Sequence, residues 1–394
     1  MTSSKKTIPK IDYGIILTLM LLALVSLISI YSAQKTGQYK TNFVPQQIKW
    51  YVISSVAAYV VMRLDSDQMK KISWYAYALC ALSLLGLLLI AKFFPGFPLA
   101  PERNGARSWY LIPGAGLIQP AEFMKIFLIV LLAKITASHN QKFLNKTIKT
   151  DMWLLLKIGI ISGVPTILIL EQPDLGTALV MVCILLAIIL VSGITWKILV
   201  PMFAFLGTAG GVVLYIAIYY HELLQGILEP HQYKRIYSWL DPYNFRTDEG
   251  YHLVNSLQAV GSGQTVGKGF YNGEVYMPES HSDFIFSTIG EEFGFIGSSV
   301  VISLFFLLIY QITRTALETK NPFYSYICAG IIAMIAFHVF QNIGMTVGLM
   351  PITGIPLPFI SYGGSALLGN MMGIGIILSV RYHFKKYMFA SNEE

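Results

Sequence analysis

Asp283 stands in the stretch MPESHSDFIFSTIGEEFGFIG, residues 277–297, immediately before an apolar run long enough to enter a bilayer. A carboxylate is costly beside hydrocarbon and persists there when it has a partner or a chemical role. It can cap a helix, or it can take a proton from a hydroxyl nucleophile. Asp is among the best N-cap residues for a helix opening near Phe284, and Thr288 with Glu291 three residues on offers a capping box one turn later. Capping does not exclude chemistry, because one carboxylate can do both.

Other reactive types cluster elsewhere. In IQPAEFMKIF, Glu122 and Lys125 lie three residues apart on one helical face, where they neutralise each other and fix packing or serve a ligand. Pro120 suits the first turn of that helix. Arg103 and Arg107 sit beside Trp109 and Tyr110 in FFPGFPLAPERNGARSWYLIPGAGL, a pattern that puts aromatics at headgroup depth and guanidinium groups near phosphates, as ordinary interfacial anchors also do. Glu171 and Asp174 flank Pro173; two such acids can hold a divalent cation, but a solvated turn with Asp174 capping the next helix accounts for them more simply. His231, His252 and His281 lack the close spacing of metal-binding motifs, so no protein metal site with Asp283 is expected. GSGQTVGKG lacks the Walker pattern, and its glycines at 261, 263, 267 and 269 permit tight turns near a ligand.

These groups need a frame, and composition supplies it. With 55% hydrophobic and 12% charged residues among 394, the chain is too poor in charge to cover a soluble protein of its size. Ten apolar stretches of membrane-crossing length fall at about 13–33, 47–63, 72–92, 117–137, 153–170, 176–193, 198–220, 286–312, 323–347 and 360–380. The expected fold is therefore all-α: a single polytopic membrane domain over residues 1–394, with one long loop at about 221–285. Sixteen Lys and Arg residues at one set of span ends, against six at the other, put both termini in the cytoplasm and the Asp283 loop outside. The net charge of +7 reports this topology and gives no argument for nucleic acid. The first span follows basic residues, but nine more spans make it an uncleaved helix. Cys80, Cys183 and Cys328 fall within spans, far apart, and support no disulfide framework.

In the loop, HQYKRIYSWLDPYNF interleaves Tyr, Ile and Trp with Lys234 and Arg235, as in a helix lying on a membrane surface. His338, Gln341 and Asn342 share the ninth span and should bond between helices, and Gly369 with Gly373 allows close contact for the tenth. Pro351, Pro356 and Pro358 predict irregular backbone at membrane depth, tolerated where protein buries it or a cavity adjoins.

Taken together, ARSWYLIPGAGLIQPAEFMKIF, EQPDLGTAL, YKRIYSWLDPYNF through GKGF, PESHSDFIFSTIGEEFGFIG and GIPLPFISYGGSALL resemble the shape, elongation, division and sporulation (SEDS) proteins, polytopic peptidoglycan glycosyltransferases of the bacterial plasma membrane. The match runs from the third span to the last. Pro356 looks like the RodA, cell-elongation branch; Gln264 stands where the family loop commonly has Gly, and His252 where Gln is usual. The resemblance implies polymerisation of lipid II on the outer leaflet, with Asp283 the essential acid and a single-pass class B penicillin-binding transpeptidase as partner within a membrane-bound elongation complex. As general base, Asp283 would deprotonate the acceptor 4-hydroxyl, while the undecaprenyl pyrophosphate leaves from the opposite face with inversion. Arg107 and Lys125, then Lys268, are the expected cations for that leaving group, with a divalent ion (Mg2+ or Mn2+) able to share the work. Trp109, Gln119, Glu122 and His281 complete the expected substrate site. A flippase using Glu122 and Lys125 as a headgroup path, and a scaffold for cell-wall synthases, are the alternatives.

Overall fold

The computed structural model describes residues 11–34, 42–94, 96–102, 106–113, 116–220, 230–244 and 249–389. Helices α1 (Tyr13–Ala33), α2 (Phe43–Met62) and α3 (Ser66–Phe93) lead to a short antiparallel hairpin, β1 (Tyr110–Ile112) and β2 (Gly116–Ile118), in which Tyr110 faces Ile118. Then come α4 (Pro120–Lys142), α5 (Ile148–Leu170), α6 (Leu175–Val191) and α7 (Trp196–Tyr219), followed by two helices of the long loop, α8 (Pro230–Leu240) and α9 (Glu249–Ser262). The chain closes with α10 (Ile285–Glu318), α11 (Pro322–Thr346) and α12 (Gly364–Phe389). All ten expected spans fall on helices, and seven of these are long and apolar enough to cross a membrane.

Local chemistry sets the helix starts. Asp12, Asn42, Asp65, Thr147, Asp174 and Asn321 each accept a backbone N–H as N-caps, and Pro120 and Pro322 occupy first turns where a missing donor is harmless. Helices α4, α11 and α12 form the centre, where Leu128, Leu132, Met334, Ile335, Ile374 and Ile377 are fully enclosed. Close approach of α12 to α4 depends on small residues: a Cβ on Gly369 would lie 3.0 Å from the Glu122 carbonyl oxygen. The periphery exposes apolar side chains such as Val56, Leu79, Ile160 and Phe205, a surface suited to lipid. Helix α7 is the loosest, burying only Leu199 and Ala217 among its described residues.

The long loop is no loose excursion. Leu253 of α9, Met277 and Phe284 of the Asp283 segment, Met345 of α11 and Ile352 form a second apolar cluster, flanked by Trp239 and Leu257. Trp239 Nε1 donates to the Gly348 carbonyl at 2.9 Å, while Ser256 Oγ donates to the Thr346 carbonyl at 2.7 Å and lies 2.6 Å from Ser287 Oγ. Residues 264–269 complete α10 itself, whose helical path breaks at Gly294 (φ 61°, ψ −157°). There the Glu291 and Glu292 carbonyls accept from Lys268 N and Gly269 N at 3.0 and 2.9 Å, and Phe295 N and Ile296 N donate to the Gln264 and Thr265 carbonyls at 2.9 and 3.1 Å. Backbone freed by the break is thus satisfied by protein. The expectation that Gly263 and Gly267 turn beside a ligand is corrected: they make room for the backbone of α10.

Candidate active site

The Asp283 segment owes its position to three consecutive carbonyls. His281 O accepts from Tyr362 N at 2.9 Å, Ser282 O from Ser361 Oγ at 2.7 Å, and Asp283 O from Asn342 Nδ2 at 2.7 Å. The donors come from the Pro-rich segment before α12 and from α11, so that irregular stretch fixes the backbone that carries the acid. The Pro-rich segment is itself held by Ser26 Oγ on the Ile360 carbonyl (2.6 Å), by Tyr51 Oη on the Phe359 carbonyl, and by Gln47 Nε2 on the Ser361 carbonyl (3.3 Å).

The Asp283 side chain, by contrast, is partly buried and bonded to no described donor. The N-cap position of α10 is Phe284, with no side-chain cap, so the capping reading of Asp283 fails. Nor does Thr288 with Glu291 open a helix: Glu291 Oε1 turns to Lys268 Nζ at 2.7 Å and to Glu274 N at 2.8 Å. Opposite the acid stands Gly354 (φ +71°), where a Cβ would come 3.4 Å from Asp283 Oδ2. Burial pushes the Asp283 carboxyl up to about 7; Glu279 and Asp174 add to the rise and Arg235 of α8 opposes it. A carboxyl so placed is half ionised near neutrality and meets no competing donor among the described residues, which suits a general base.

The expected partners take varied places. Glu122 and Lys125 pair at 2.8 Å in full enclosure, and Lys125 Nζ lies 3.0 Å from His338 Nε2. His338 Nδ1 meets the Met334 carbonyl at 2.7 Å, so the proton sits on Nδ1 and Nε2 accepts from the ammonium. Two of the three Lys125 ammonium hydrogens are therefore engaged within the bundle, on Glu122 and His338. Gln119 Nε2 donates to Asp174 Oδ2 at 2.9 Å, and Asp174 caps α6 through Thr177 N at 2.9 Å, as its position before that helix predicts. Arg107 bonds Glu102 at 3.1 Å, Trp109 is partly buried beside the hairpin, and Arg103 lies outside the described residues. Lys268 is bound to both Glu291 and Glu274, which assigns it to the brace of the α10 break. His281 stacks on Phe43 with ring centroids 4.3 Å apart, and burial pushes its imidazole below the ordinary value against the pull of Glu279, 3.9 Å away. Among the described residues no three His, Cys, Asp or Glu side chains converge as a metal cage; a Mg2+ or Mn2+ ion arriving on a pyrophosphate needs only one or two carboxylates.

Sequence reasoning did not connect Arg235 with Asp283. The available signal was a guanidinium in an amphipathic stretch, which reads as a surface anchor until the fold brings its charge within electrostatic reach of the acid.

A buried ion pair loses most when only one partner is removed. Lys125→Met is expected to destabilise the protein by about 3–5 kcal/mol by stranding Glu122, whereas Lys125→Met with Glu122→Met recovers much of the loss. Thermal melting in detergent checks this, and equal melting for single and double variants would contradict it.

A helical bundle with a buried polar network at its centre and a partly buried acid just before one span defines a polytopic membrane protein. The chain belongs to the FtsW, RodA and SpoVE family of cell cycle proteins, whose family model matches residues 10–386. Stage V sporulation protein E of Bacillus subtilis (strain 168) is 34% identical, covering 96% of this chain and 98% of the relative. A probable peptidoglycan glycosyltransferase FtsW of Trichlorobacter lovleyi is 31% identical, covering 94% and 93%. In structure, the chain is similar to a subunit of a peptidoglycan synthase complex in which polymerization and crosslinking are coordinated, with TM-score 0.73, 25% identity and coverage of 94% and 97%. It shares its fold with the rod shape determining protein RodA of Thermus thermophilus, with TM-score 0.66, 23% identity and coverage of 95% and 97%.

Proposed function

We propose that this chain is a peptidoglycan glycosyltransferase that polymerises lipid II at the outer face of the bacterial plasma membrane, with Asp283 as general base. The carrying observation is the Asp283 carboxyl, bonded to no described donor and partly buried on a backbone fixed by three carbonyl contacts. The acceptor's 4-hydroxyl oxygen forms the new bond to the donor's anomeric carbon, its proton passes to Asp283, and the bond from that carbon to the pyrophosphate oxygen breaks on the opposite face with inversion. The electron pair leaves on undecaprenyl pyrophosphate. Arg107, whose partner Glu102 is exposed, and Arg235, within electrostatic reach of Asp283, are the cations assigned to that charge, because a guanidinium binds phosphate in a fork while the Lys125–Glu122 pair is enclosed and Lys268 is held by two carboxylates. Gln119, Trp109, Glu122 and His281 support the walls of the site.

The distribution of Lys and Arg supports an outward site with both termini in the cytoplasm. Similarity to a synthase-complex subunit supports a class B penicillin-binding transpeptidase as partner, and Pro356 supports the elongation branch. Enclosure of Glu122 and Lys125 with His338 argues against a flippase path along α4. The test is polymer formation from lipid II by purified protein in detergent, with and without the transpeptidase: polymerisation needs no second compartment, whereas flipping does. No polymer under either condition would remove the enzyme reading.

Arg235 lowers the Asp283 pKa, so its loss must raise it. Arg235→Ala is expected to move the rising limb of the pH–rate profile above that of wild type and to reduce lipid II turnover about 10-fold or more, with Arg235→Lys intermediate. An unmoved limb in both variants would dissociate Arg235 from the acid.

A further inference from the structure

Asn342, near the end of α11, has no exposed surface, and both of its amide hydrogens are committed: Nδ2 donates to Asp283 O at 2.7 Å and to Ile355 O at 2.8 Å. Both partners are carbonyls, which only accept, so the orientation of the amide is fixed by chemistry. One side chain on a rigid span therefore ties the backbone of the proposed base to the segment carrying Gly354, the residue that faces Asp283 Oδ2. The tie acts at the residue itself, whereas Tyr362 N and Ser361 Oγ hold its two predecessors.

We propose that Asn342 is the positioning residue of the glycosyl transfer, holding the Asp283 carboxyl in a partly dry slot against Gly354 at the distance an incoming sugar hydroxyl requires. The proposal rests on Asp283 being the base. Without the two bonds, the backbone at residue 283 relaxes outward, the carboxyl hydrates, and its pKa falls toward the ordinary carboxylate range. The charged and titratable groups around it are Glu279 and His281 on its own segment, Arg235 from α8, Asp174 at the start of α6, and His252 of α9, whose ring stacks on Phe284 at 5.8 Å. None of these is altered by a change at Asn342, so movement of the titration reports on the position of Asp283.

The experiment measures lipid II polymerisation against pH, with melting in detergent, for Asn342→Leu, which keeps the branched shape and deletes the donors, and for Asn342→Ser, a smaller polar change that serves if the bulkier leucine does not fold. The expected result is a 10- to 100-fold lower kcat, about 1.4–2.7 kcal/mol, with the midpoint of the rising limb displaced to lower pH by half a unit or more. Wild-type rate and midpoint would overturn the proposal. So would a lower rate with an unmoved midpoint, which marks a merely structural residue. Asp283→Asn serves as the reference: if that variant polymerises normally, the base assignment itself fails, whereas an inactive Asp283→Asn beside an unshifted Asn342 variant sinks only the positioning role.

Discussion

Asp283→Asn is expected to lower polymer formation from lipid II by about 10²–10⁴-fold, the range contributed by a positioned proton acceptor, while the protein stays folded and membrane-inserted. The amide is nearly the same size and meets no described donor that a carboxylate would have bonded, so little packing changes. The wild-type rate should rise with pH through a single ionisation near the Asp283 pKa of about 7, because only the carboxylate accepts the proton. The residual activity of the variant should be flat across that range. Stability moves the opposite way. Since the folded carboxyl binds its proton up to about 7 while the unfolded one releases it near 3.8, stability falls as pH rises across that interval. Asp283→Asn lacks this loss, so at pH 8 it should melt above wild type, by on the order of 1–2 kcal/mol after allowing for partial access of water. An active variant, or one that melts lower at pH 8, would contradict the account from two independent sides.

The frame was legible in the sequence because bilayer physics demands length and apolarity, which are local properties. The Glu122–Lys125 pair, the Asp174 cap and the close approach at Gly369 were legible for the same reason: each follows from helix spacing or from the size of one side chain. The site was only half legible. Asp283 stood out by its chemistry, but its main rival role, capping α10, could be rejected only by seeing that the helix opens at Phe284 without a side-chain cap. Lys125 looked like a phosphate ligand until His338, more than two hundred residues away, took up its ammonium. Arg235 looked like a surface anchor until the fold brought its charge within electrostatic reach of the acid. The residues that sequence misassigns are those whose partner is set by tertiary packing, and a cation's partner decides its function.

The glycines of the loop make the same point with a larger consequence for stability. Gly261 and Gly294 look alike in the sequence, each a glycine in or beside a helical stretch, yet their substitution should diverge by several kcal/mol. Gly261 is itself exposed on α9 with nothing within 4 Å of an added Cβ, so Gly261→Ala should be neutral or gain up to about 1 kcal/mol of helix propensity. Gly294 adopts φ 61° and ψ −157°, a region essentially reserved for glycine, and its Cβ would lie 2.4 Å from Gly267 N and 2.8 Å from the Gly263 carbonyl oxygen. Those neighbours are backbone and cannot rotate aside. Gly294→Ala should therefore cost about 3–5 kcal/mol in strain and displaced backbone, and it should pull the 264–269 strap off the broken helix. The amides of Phe295 and Ile296 and of Lys268 and Gly269, which cross that joint, should lose hydrogen-exchange protection together. Because the first turns of α10 follow directly on Asp283, polymerisation should fall with them. Matched melting and exchange in the two alanine variants would mean that the break at Gly294 is not what holds the acid in place.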